Sequence, residues 1–124
     1  MDDTHPPTNR LSPEGEDGSY LTLTRSVRGK DAGVRVRGEI DMASAPELAA
    51  FIAAVSAERP VRLAVDLTDV AFMDSSGVRM LVHAAKRAAA AGTRMYLVCP
   101  LSNTSVRRVM DILQLSTVMT IVDS

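Results

Sequence analysis

The chain has 124 residues, 14 Lys and Arg against 15 Asp and Glu, a single Cys and no Trp. That length holds one domain rather than two, and 46% hydrophobic content excludes a wholly disordered chain. Lone Cys99 excludes an internal disulfide framework, the net charge of -1 gives no basic footprint for nucleic acid, and no apolar run approaches the roughly 20 residues that cross a bilayer. Residues 1–10 lack the basic and apolar regions of a signal peptide, so a cytoplasmic location is expected, with no membrane partner.

Charge divides the chain in two. Within residues 1–19, Asp2, Asp3, Glu14, Glu16 and Asp17 face only Arg10, a net of -4, which leaves +3 for the remainder. The same stretch holds Pro6, Pro7, Pro13, Gly15 and Gly18 and little that could be buried. It reads as a disordered acidic tail over 1–19, ahead of a folded domain over 20–124.

The folded part opens with β-forming residues at 20–24, a turn at 28–31, and a second strand in which Val34 and Val36 alternate with Arg35 and Arg37. The short link predicts a hairpin. Ser44 reads as the N-cap of a helix over 46–57, with Pro46 and Glu47 in its first turn and Leu48, Phe51, Ile52 and Val55 on its apolar face. Pro60 ends that segment. Val61, Leu63, Val65 and Leu67 then alternate with polar or small residues as a third strand. A short apolar link, Val70-Ala71-Phe72-Met73, leads into Asp74-Ser75-Ser76-Gly77 and an alanine-rich helix over 77–91, closed by Gly92. A fourth strand over 94–98 follows. Ser102, Asn103 or Thr104 caps a third helix with Val106, Val109, Met110 and Leu113 on its apolar face, and a fifth strand covers 118–122. The order β-β-α-β-α-β-α-β predicts an α/β fold: one mixed, mainly parallel sheet with helices packed on one side.

Groups for chemistry are scarce. His5 lies in the tail, and His83 sits eight helical positions beyond Ser75, about 12 Å along the axis, too far to act as its base. One Cys and two scattered His give no metal-ligand spacing, and Gly29-Lys30 lacks the rest of a phosphate loop. No cofactor or catalytic residue is expected. Cys99 ends a strand and reads as a small core residue. What remains is Asp74-Ser75-Ser76-Gly77. Asp and Ser there serve as ordinary helix caps. The same position also suits a modification site, because a helix N-terminus carries unpaired N–H groups and the positive end of a dipole. A phosphate on serine would add about -1.5 to -2 charges beside Asp74. Asp41 also follows a strand and precedes a helix, so it either shares that sheet edge with Asp74 or is a simple turn residue.

Three stretches together resemble a known family. Val36-Arg37-Gly38-Glu39-Ile40-Asp41, residues 65–70 (Val-Asp-Leu-Thr-Asp-Val) and Phe72-Met73-Asp74-Ser75-Ser76-Gly77-Val78 are similar to the STAS domain of anti-sigma factor antagonists, over about residues 20–122. The resemblance implies a regulator, not an enzyme. It implies that Ser75 is phosphorylated by a partner anti-sigma factor that is itself an ATP-dependent serine kinase. The unphosphorylated form would bind that partner and free a sigma factor; a metal-dependent serine phosphatase would reset the phosphorylated form. Asp41, Asp74, Ser76 and Gly77 would shape the site. Met42, Met73 and Met80 lie near the same edge, where flexible thioethers suit a binding surface or core filling. A monomer or weak dimer is expected.

One departure concerns the third helix: Ile112-Leu113-Gln114-Leu115 has no glycine where the family usually places one, so that end is expected to close differently. Another is that the family often adds a further helix after the fifth strand, leaving this sheet edge less covered or covered by a partner. The alternative role on the same fold is a scaffold or regulatory subunit of a stress-signalling or lipid-transport complex. A phosphoaspartate receiver domain would need a late lysine, and the chain has only Lys30 and Lys86.

Overall fold

The computed structural model describes residues 8–10 and 21–124. The tail expected over 1–19 therefore lies outside the described residues, apart from a short backbone strand at 8–10. In chain order the elements are β1 (Thr8–Arg10), β2 (Leu21–Arg28), β3 (Asp31–Ile40), α1 (Ala45–Ser56), β4 (Arg62–Met73), α2 (Ser75–Ala90), β5 (Arg94–Val98), α3 (Thr104–Ile112), a 3-10 turn (Leu115–Thr117) and β6 (Ile121–Val122). From β2 onward this is the order read from the sequence.

One sheet contains all six strands in sequential order. β1, β2 and β3 pair antiparallel, and β3 to β6 pair parallel. Sequential parallel strands joined by right-handed crossovers place every crossover helix on the same face. The burial pattern follows. Leu21, Leu23, Val34, Val36, Leu63, Val65 and Leu97 point inward and are at most 1% exposed, against Leu48, Ile52, Val55, Leu81, Val106 and Met110 from the helices. Each such leucine or valine contributes about 1.5–3 kcal/mol by leaving water. Arg35 and Arg37 point to the opposite, open face.

The β2–β3 hairpin closes at Gly29-Lys30, with Arg28 opposite Asp31. Gly29 has φ +62, which suits the first central position of a tight hairpin turn.

Two expectations need correction. Val70 to Met73 is not a link; it is the last third of β4. Strict alternation stops after Leu67, and the next inward residues, Val70 and Met73, come at three-residue steps. Register shifts against β3 cause this change of period. β5 pairs only as far as Asp66, so other groups serve the rest of β4's edge. The Asn103 amide donates to Leu67 O (3.1 Å) and Val70 O (2.9 Å), and Ser105 Oγ donates to Ala71 O (3.1 Å). Asn103 is also the α3 cap, accepting from Val106 N at 3.3 Å.

The last strand is likewise shorter than 118–122. Leu115 and Met119 are buried four residues apart in a turn, Met119 N donating to Leu115 O at 3.0 Å, while Val118 is exposed. Gln114 takes a left-handed conformation (φ 55, ψ 43). The α3 end thus adopts a backbone that glycine favours, without the glycine.

Candidate switch site

β3 and β4 end in register, with Ile40 beside Met73. Asp41 and Asp74 are the next residues on each strand, so they share one edge of the sheet, and Asp74 N donates to Ile40 O at 3.1 Å. Both carboxylates bind backbone amides. Asp74 Oδ1 accepts from Ser76 N (2.9 Å) and Gly77 N (3.3 Å), making Asp74 the N-cap of α2. Asp41 Oδ1 accepts from Ala43 N (3.0 Å) and Ser44 N (2.9 Å). The turn reading of Asp41 and the shared-edge reading therefore hold together.

Ser44 differs from its expected role. It makes no side-chain cap to α1. Its buried hydroxyl donates to Glu39 O (2.8 Å) and accepts from Asp41 N (3.0 Å), locking the β3–α1 turn. Asp41 O in turn accepts from Ala45 N at 2.8 Å.

Ser75 is the first residue of α2 and is exposed, whereas Ser76 is half-buried. Gly77 is buried, and a Cβ there would lie 2.6 Å from Met73 Cγ and 2.8 Å from Ile40 Cγ2. Lack of a side chain lets the first turn of α2 rest on the two strand ends. Of the three methionines, only Met42 is openly exposed, at 76%. Met80 is nearly buried, and Met73, at 1% exposed, is a core residue beneath Gly77 and not a surface contact. The structure thus gathers Asp41, Asp74, Ser75, Ser76 and Gly77 at one edge, with Met42 beside them.

Phe72, two residues before Asp74 and paired with Glu39, is 47% exposed beside the site, which its place in an apolar run did not signal. Sequence reasoning also passed over Arg79 and Arg87, which flank His83 on α2 at four-residue spacing. That spacing was the available signal.

Away from the edge, burial pushes the Cys99 thiol pKa up, against a smaller opposing pull from Arg107, whose guanidinium also donates to Cys99 O at 2.9 and 2.7 Å. Cys99 is a core residue. Among the described residues, no three His, Cys, Asp or Glu side chains converge as a metal site, and no helix is long and apolar enough to cross a membrane.

Fold and site define a small α/β domain with a capped serine at the C-terminal edge of its sheet. The STAS domain model matches residues 25–124, and the chain belongs to that family. An anti-sigma factor antagonist from Mycobacterium paratuberculosis is similar at 27% identity and TM-score 0.76, covering 84% of this chain and 86% of that one. The anti-sigma factor antagonist SpoIIAA in its unphosphorylated form has the same fold at 24% identity and TM-score 0.65, covering 82% and 86%. The Bacillus SpoIIAA in its phosphorylated form does too, at 22% identity and TM-score 0.59, covering 82% and 89%. No curated protein sequence is similar enough to count as a match.

Proposed function

We propose that this chain is an anti-sigma factor antagonist switched by phosphorylation of Ser75. One observation carries the reading: Ser75 presents an exposed hydroxyl at the first position of a 16-residue helix, directly after a capping aspartate. Similarity to the mycobacterial anti-sigma factor antagonist supports the role, and SpoIIAA, of the same fold, exists in unphosphorylated and phosphorylated forms. The partner is an anti-sigma factor that acts as an ATP-dependent serine kinase. Unphosphorylated, the domain binds it and frees a sigma factor; phosphorylated, it lets go, and a metal-dependent phosphatase restores it.

Electrostatics explains why this works without refolding. The α2 dipole favours an anion at its N-terminus. Asp74 already takes the Ser76 and Gly77 amides, so a phosphate on Ser75 enters beside a committed carboxylate, with Asp41 on the same edge. About -1.5 to -2 added charges then change what the edge attracts, while the cap that holds α2 stays in place.

The test is phosphorylation with the cognate kinase and ATP, followed by peptide mass mapping. One phosphate on Ser75, and none on Ser75→Ala, is expected. Phosphate on Ser76 alone, or unchanged labelling of Ser75→Ala, overturns the assignment. Ser75→Asp is expected to weaken partner binding by about tenfold or more, since like charges meeting at an interface are costly.

A further inference from the structure

α1 and α2 leave an open groove of about 730 Å³ between them. Its walls are small: Ala49, Ala53 and Ala57 from α1, Ala84 and Ala88 from α2. Met42 and Ser76 line one end, so the groove begins beside Ser75. Arg79, His83 and Arg87 line it at four-residue intervals along one rim, and among the described residues no acidic side chain lines it. Among the described residues Arg25, Arg35 and Arg62 each hold a carboxylate, whereas Arg79 and Arg87 hold none.

We propose that this groove docks an amphipathic α-helix of the anti-sigma partner, its apolar face on the alanine walls and its acidic residues against Arg79, His83 and Arg87. The choice of partner rests on the function proposed above; the choice of occupant rests on shape and charge. α2 is 16 residues, about 24 Å long, so the groove runs several helical turns. Rows of alanine let a helix approach closely, and the Arg79 and Arg87 guanidiniums, two turns apart with the His83 imidazole between them, meet carboxylates spaced along one face of that helix. A second copy seated groove to groove would set the arginine rows against each other, which disfavours it. Docking along the groove leaves the Ser75 hydroxyl free at its end. Holding the partner and reacting with it thus fall to adjacent but separate surfaces.

The probes are two synthetic stapled helices with the same Leu/Ala face, one carrying Glu and the other Lys at three successive four-residue positions. Each is titrated into the isotope-labelled full chain and followed by amide chemical shifts. The Glu helix is expected to shift Met42, Ala49, Ala53, Arg79, His83 and Arg87, and the Lys helix to bind roughly tenfold more weakly, as several exposed ion pairs change sign. The double variant Arg79→Glu/Arg87→Glu should reverse that preference with an unchanged melting temperature. Ser75→Ala should bind the Glu helix as the wild type does, so failed phosphorylation at Ser75 leaves this result standing. Equal binding of both helices, or shifts confined elsewhere, overturns the proposal. So does a concentration-dependent shift of the same amides without peptide, which would assign the groove to a second copy, or a shift of those amides on deleting residues 1–7 with no peptide present, which would make the groove this chain's own contact.

Discussion

The two ends of the sheet use carboxylates in opposite ways. At the end where the parallel strands begin, Asp31, Arg62 and Arg94 are register neighbours, and Arg62 grips Asp31 through Nε (3.1 Å) and Nη2 (3.0 Å). That hydrogen bond and charge hold the Arg62 guanidinium above its ordinary pKa. Glu58 likewise holds Arg25 nearby. At the end where the same strands finish, Asp41 and Asp74 pair with no arginine among the described residues and bind backbone amides instead. Exposed side-chain pairs contribute little and are screened by salt. Carboxylate caps fix the backbone itself. The ion-paired end therefore decorates the fold, while the capped end defines the path of the chain around Ser75.

The largest effect should come from closing the space at the capped end. Gly77→Val would push side-chain atoms into Met73 and Ile40 and is expected to cost about 1–3 kcal/mol in urea unfolding. A variant as stable as the wild type would remove the close approach from the comparison. Next comes Ser44→Ala, which takes the buried hydroxyl away from the Glu39 carbonyl and the Asp41 amide in a part-buried turn, about 1–2 kcal/mol. Smaller is Asp74→Ala, about 1 kcal/mol for a lost cap. Smallest is Arg62→Ala, whose unfolding midpoint should stay within measurement error of the wild type at moderate salt. If Arg62→Ala proves the more damaging of these last two, the contrast between the ends fails.

Much of this was legible because local physics decides it. The alternation of Val34 with Val36 and of Leu63 with Val65 and Leu67 fixes which face of each strand is buried, and Gly29 and Gly92 mark turns by their positive φ. The Asp-Ser-Ser-Gly element was legible as a helix start for the same reason: caps are read within three or four residues. Met73 was not legible as core, since methionine suits both surface and interior and only the seat of Gly77 settles the matter. Nor was β4's full length, because its later half keeps strand form only with β3 shifted in register and with Asn103 and Ser105 serving carbonyls more than 30 residues away.

By itself, then, the sequence determined the order of the elements from β2 onward and the serine pair Ser75-Ser76 at a capped helix start, because each depends on neighbours along the chain. Only the tertiary structure decided that Asp41 and Asp74 stand on one edge, that Ser44 locks a turn rather than capping a helix, and that Arg79, His83 and Arg87 border an apolar groove. Those facts depend on which strands lie side by side and on how two helices pack, distances that no local pattern encodes.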